Sequence, residues 1–317
     1  MIDAIEPSAA RFLADLERIQ QRGARAEQQI SSGLRFTKPS DDPDRVQELL
    51  VTRAHLEQVT QVRTNLDRAK AETDTAEQVL SEAMQSMDRA AEIGVQGATS
   101  LASPESRTTI ATEVQSILEH LVAISRTNVE GRYLFSGDND QVAPYTVDLG
   151  QPNGVSAYAG SDATREIMHP AGTRFALSRT AQDIFDSSEA GKNVFAAVNA
   201  LRLALTNGPT VPKDDPDYGT QLAAQTAAVG DALLAVRSAR DHLGAKLAYA
   251  GVVQNRVENA IQFASKLELR QRIALSNLQD ADIAAAALEL NQALTHQEAA
   301  LHAHAMLPKS SLFDYLG

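Results

Sequence analysis

Three histidines, His296, His302 and His304, crowd the last stretch of the chain and are its closest set of soft metal ligands. Two ligands on one helical face need i,i+4 spacing. Separations of six and two turn these three side chains in different directions, so they read as polar surface or seam-edge residues. Asp41-Asp42-Pro43-Asp44 gathers three carboxylates, as a calcium loop does, but lacks the alternating ligands, central Gly and closing bidentate Glu. A helix start accounts for it better: an N-cap acceptor, a proline at the first helical position and an acid near the positive end of the dipole. Ser103-Pro104-Glu105 repeats the device. With no cysteine, disulfides, thiolate chemistry and Cys-ligated zinc are all excluded. There is no G-x-S-x-G, no H-E-x-x-H and no phosphate loop. Gly94-Val95-Gln96-Gly97 is too short to cradle phosphate, and two small residues three apart read as a close helix contact. Carboxylates are plentiful, but none is framed by apolar residues that would raise its pKa. The expectation is a non-enzyme with no metal and no cofactor.

The elements that carry these residues are mostly helical. Ala, Leu, Glu, Gln and Arg dominate two proline-free stretches, from Asp44 to Ser103 and from Asp217 to Leu307. Helices of about 60 residues extend roughly 90 Å and read as coiled coil or extended bundle. The 14 Tyr and Phe residues are unevenly placed: seven lie from Tyr133 to Phe195 and none between Thr37 and Arg132. That pattern suits small-residue helical cores with a compact mixed core in the middle. Around positions 136–186, Gly and Pro punctuate short runs such as PYTVDL, GVSAYAG, REIMH and RFALS, a strand signature. The expected fold is mainly α with a small β-rich insertion, a long coiled-coil-like helical bundle built from N- and C-terminal arms. The expected divisions are 1–43 and 280–317 as the arms of an inner helical domain, 44–135 and 191–279 as a central bundle, and 136–190 as the outer insertion.

Both arms repeat every 3.5 residues. Phe12, Leu16, Ile19, Gly23, Ala26 and Ile30 are spaced 4, 3, 4, 3, 4, and so are Ile283, Ala287, Leu290, Leu294, Gln297 and Leu301. Each seam spans about three heptads and is diluted by Gly, Ala or Gln, which would leave it marginal alone. The arms are expected to be antiparallel neighbours that order fully against each other or against other subunits. Phe12, Leu16, Ile19, Ile30, Ile283, Leu290, Leu294 and Leu301 are the candidate polymerisation interface. Lys and Arg total 29 against 41 Asp and Glu, a net charge of −12, so neither nucleic acid nor an anionic membrane is an expected partner. The first residues show no basic region followed by an apolar run, so the chain is expected in the cytoplasm or to leave the cell without a cleaved signal.

ISSGLRFTKPSDDPD, from Ile30 to Asp44, resembles the flagellin-family N-terminal signature, with Ser32, Gly33 and Arg35 in its turn and Asp41, Asp42 and Pro43 opening the next helix. NVEGRYLFSG, from Asn128 to Gly137, is similar to the stretch at that place in the hook-associated protein 3 (FlgL) branch, through Asn128, Gly131, Tyr133, Phe135 and Gly137. LGAKLAYAGVVQNRVENA, from Leu243 to Ala260, resembles the C-terminal flagellin pattern, with Asn255 and Arg256 at its Asn-Arg pair, and the chain closes on SSLFDYLG, typical of that branch. The first residues, MIDAIEP, depart from the family's usual start.

What this resemblance implies is a structural protein of the bacterial flagellum. The branch forms a layer at the hook–filament junction, between the first hook-associated protein (FlgK) and flagellin. Its subunits contact one another in a ring-like layer, with an export chaperone as an earlier partner. They are exported unfolded through the flagellar type III apparatus, the terminal helices forming an inner tube with the β insertion outward. Filament flagellin and a cytoplasmic helical signalling scaffold are the rival readings.

Overall fold

The computed structural model describes residues 6–38, 42–98 and 104–306. Seven helices account for most of it: α1 Glu6–Ser32, α2 Pro43–Gly97, α3 Pro104–Ser125, α4 Ala181–Phe185, α5 Val194–Thr206, α6 Tyr218–Gln279 and α7 Ile283–Ala305. The two proline-free stretches supply α2 and α6, of 55 and 62 residues. The carbonyl of Asp42 starts α2, accepting from Arg45 N and Val46 N, while its carboxylate pairs with Arg45. Ser103, expected to cap α3, lies outside the described residues. The chain divides into two compact units, residues 1–59 with 266–317, and residues 60–265.

The second unit holds the main core. Leu80, Met87 and Ile93 of α2, Leu118 and Leu121 of α3, Leu201 of α5, and Val236 and Leu243 of α6 are all within 2% of complete burial. Gly94 and Gly97 are where helices come close: a Cβ would stand 2.6 Å from Leu233 Cδ2 at the first and 2.4 Å from Leu205 Cδ2 at the second.

The insertion is less regular than the alternation of its sequence suggests. β1 Asn128–Val129 and β2 Arg132–Tyr133 form a two-residue hairpin whose turn, Glu130-Gly131, has positive φ at both positions, 51° and 83°. β3 Glu166–Met168 pairs antiparallel with β4 Arg174–Ala176. PYTVDL and GVSAYAG meet in one bridge, Val147 to Val155, rather than a ladder. Side-chain burial holds this region instead. Phe135, Tyr145, Phe185 and Phe195 are buried and in mutual ring contact. Asp186 is their polar hub, accepting from Tyr145 Oη at 3.0 Å, Asn153 Nδ2 at 3.1 Å and Asn193 Nδ2 at 2.7 Å. This partly buried carboxylate, with three donors, joins the loops through side chains where backbone ladders are few. Burial and the Asp186 charge push the Tyr145 hydroxyl pKa far above its ordinary value. The β3–β4 hairpin is tied to α2 by a bidentate pair, Arg165 to Glu72 at 2.7 and 3.2 Å.

Candidate assembly surface

In the first unit α1 packs along α7. Phe12, Leu16, Ile19, Gly23 and Ile30 are partly buried, and Ala26 is fully buried. The Phe12 ring meets His304 edge-on, centroids 4.2 Å apart. A Cβ on Gly23 would lie 3.4 Å from Ala293 Cβ. The inward positions of α7 are Ala286, Leu290, Ala293, Gln297 and Ala300. Their spacing is the expected 4, 3, 4, 3, but the phase differs from the seam read in the sequence. Leu290 and Gln297 belong to both sets, and Ala287 of the expected seam is also partly buried. Ile283, Leu294 and Leu301, expected inside, are 45%, 51% and 49% exposed. With glycine and alanine at the middle of α1 the backbones approach closely there, and Ala293 lies opposite Gly23.

This unit has an inverted distribution of apolar side chains. Among the described residues its buried apolar set is Ala26, Leu49, Val59, Ala286 and Ala293. Its exposed large ones are Leu13, Leu50, Val51, Leu269, Ile273, Ile283, Leu288, Leu294, Leu301 and Met306. Large side chains left exposed outnumber the fully buried ones, Leu49 and Val59, while Phe12, Leu16, Ile19 and Ile30 are among those partly buried, so much apolar surface of this unit is open to an interaction. Leu13 and Leu288 are off the phase of the expected seams, and Leu50, Val51, Leu269 and Ile273 lie on α2 and α6, outside the arms in which those seams were read. Apolar residues outside the heptad pattern were the available signal.

At one end of the α1–α7 pair, the turn after α1 and the turn before α7 are joined through their backbones. Arg35 N donates to Gln279 O at 2.7 Å and Ala281 N to Gly33 O at 2.9 Å. Gly33, at φ +70°, ends α1 by donating to Gln29 O, and Ser32 Oγ accepts from Leu34 N. Asp282 caps α7 by accepting from Ala285 N at 3.0 Å. So Ser32, Gly33 and Arg35 shape this joint, while Asp42 and Pro43 start α2. Asp41, the opening MIDAI and the closing SSLFDYLG lie outside the described residues.

The remaining motif positions belong to the second unit. Asn128 Oδ1 accepts from Gly131 N inside the hairpin, and Tyr133 N donates to Asp140 O. Phe135 is in the core. Gly137, at φ +65°, has no room for a side chain: a Cβ would stand 2.3 Å from Ser161 O and 2.5 Å from Ala163 O. Asn255 and Arg256 are exposed on α6, Asn255 donating to Gly251 O. These positions do not converge with the seam residues into one cluster. His296 and His302 are exposed, and among the described residues no group of three His, Asp or Glu side chains could hold a metal. No described helix is long and apolar enough to cross a membrane.

Two family profiles match the N- and C-terminal parts of the chain. The bacterial flagellin N-terminal helical region matches residues 7–140, and the bacterial flagellin C-terminal helical region matches residues 226–316. The chain belongs to the flagellin superfamily. Within it, the chain is similar to flagellar hook-associated protein 3 of Salmonella typhimurium, 26% identical over 264 residues and 80% of each chain. It is equally similar to the protein of that name from Escherichia coli, 26% identical over 270 residues and 80% of each. Two solved structures share the fold. Flagellar hook-associated protein 3 from Legionella pneumophila has a TM-score of 0.62 at 16% identity, over 72% of this chain and 98% of that one. FlgL from Xanthomonas campestris has a TM-score of 0.58 at 17% identity, over 71% and 98%.

Proposed function

We propose that this flagellin-superfamily chain is a structural subunit of the bacterial flagellum, the hook–filament junction protein, built into its layer by the α1–α7 pair. The inverted apolar distribution of the first unit carries this reading: it leaves large side chains to be covered by neighbours. Copies of the chain flank one another in the layer, the first hook-associated protein (FlgK) lies on the hook side, and flagellin lies on the filament side. The subunit reaches that place by flagellar type III export, held beforehand by an export chaperone. Filament flagellin is the weaker reading, because the curated relatives carry the hook-associated name.

The test is a deletion of Asp280–Gly317. The second unit has its own core, so the truncated chain should keep most of its helical signal and its cooperative melt. It should be absent from sheared flagella, and the cells should release flagellin into the medium. Truncated chain recovered at wild-type levels in washed hook–filament preparations would refute the role given to α7.

A further inference from the structure

The charges of α1 are sorted by face as well as its apolar residues. Arg11, Arg18, Arg22 and Arg25 follow one another at intervals of 7, 4 and 3. At 3.6 residues per turn they fall within an arc of about 60°. Glu17 and Glu27 lie about 110° and 170° from the centre of that arc, and the seam toward α7 runs between the two flanks. Asp15 sits at the edge of the arginine arc, whose net charge stays positive, and these seven charged side chains are exposed. The pairs they make are loose: Arg18 to Asp15 at 3.4 Å and Arg22 to Glu289 at 3.7 Å. Among the described residues, Arg11, Arg25 and Glu27 have no side-chain partner, and Glu17 accepts one 3.4 Å bond from Gln21. A shallow groove of about 570 Å³ follows the stripe past Arg18, Arg22 and Arg25. Leu13, 62% exposed, sits amid the acidic flank.

Two identical flanks repel each other, whereas the arginine flank of one helix attracts the glutamate flank of another. That pattern is self-complementary for side-by-side repetition and opposed to a two-fold contact. We propose that the arginine flank of α1 docks on the Glu17–Glu27 flank of a second copy of this chain. Each copy then offers one flank to the neighbour on either side, a contact that propagates around a layer. Leu13 is covered in the same step and removes water from the charges beside it. This inference rests on the assembly reading above and adds to it which faces meet.

Three full-length variants test it in a chain that carries Arg18→Gln and Arg22→Gln, so that the flank changes sign when reversed: Arg11→Glu with Arg25→Glu, Glu17→Arg with Glu27→Arg, and all four together. Incorporation into sheared flagella is quantified for each, with circular dichroism as the folding control. Either single-flank reversal should lower incorporation by about tenfold or more. The fourfold exchange restores opposite charges on facing flanks and should return incorporation to near the wild-type level. Should a reversal lose helicity, Arg11→Gln with Arg25→Gln takes its place, with the same direction of effect. Single-flank variants that incorporate like wild type would overturn the proposal. A fourfold exchange no better than the arginine reversal would also overturn it, because the arginines then face another protein's acidic surface. Wild-type chain missing from flagella would instead overturn the assembly reading beneath it.

Discussion

Replacing Leu294 and Leu301 by serine separates two ways of using the last helix. On the seam phase read from the sequence, both side chains are inside the α1–α7 pair. In the structure they are 51% and 49% exposed, so about half of each remains to be covered. Full burial of a leucine is worth about 1.5–3 kcal/mol, so covering the remaining halves of both contributes roughly 1.5–3 kcal/mol per subunit on assembly. At 1.4 kcal/mol per factor of ten, the substitution should weaken incorporation by about 10–150-fold. The free monomer loses the halves already covered, up to about 1.5–3 kcal/mol by the same measure, and serine's lower helix propensity adds about 0.5 kcal/mol at each site. The assay pairs a urea melt of the dilute variant with its yield in sheared flagella. A loss of monomer stability within that range, together with a lost place in the flagellum, is the expected result. Wild-type incorporation of the variant, or a melt lowered by more than about 5 kcal/mol with α7 losing protection from hydrogen exchange, would refute the reasoning and return these residues to an intramolecular seam.

Two further outcomes concern the second unit. Gly137→Ala should destabilise the chain by at least about 1–3 kcal/mol, because it combines positive φ with carbonyl oxygens in the way; an unchanged midpoint in thermal unfolding would contradict the turn geometry. Burial pushes the Tyr158 hydroxyl up to about 12, with Asp162 adding to the shift and a Thr180 hydrogen bond opposing it. A folded pKa above the unfolded value of about 10 means that stability is full below pH 10 and is lost as pH rises toward 12. Tyr158→Phe should therefore flatten the fall of the urea midpoint between pH 10 and 12, and identical slopes in both proteins would count against it.

Much of the architecture was legible because it depends on local properties of the chain. Freedom from proline over long stretches, strong helix formers and a proline just inside the first turn set α2 and α6, and a 3.5-residue period marks α1 and α7 without knowledge of any partner. The Gly94–Gly97 pair was readable for the same reason, since only a close neighbour makes two absent side chains useful at that spacing. Phase was not readable on α7. Alanine and leucine rows run side by side there, and either could face inward by period alone. Close approach at Gly23 and Ala26 of α1 turned the row of Ala286, Leu290, Ala293 and Gln297 inward, leaving Ile283, Leu294 and Leu301 outside. The insertion shows the same limit. Its alternating runs looked like strands, yet the contacts that order it are non-local, with Asp186 gathering Tyr145, Asn153 and Asn193 from separate loops. Period is a property of one segment and can be read from it. Which face is buried is decided by the shape of the surface it meets, and that exists only once the chain has folded.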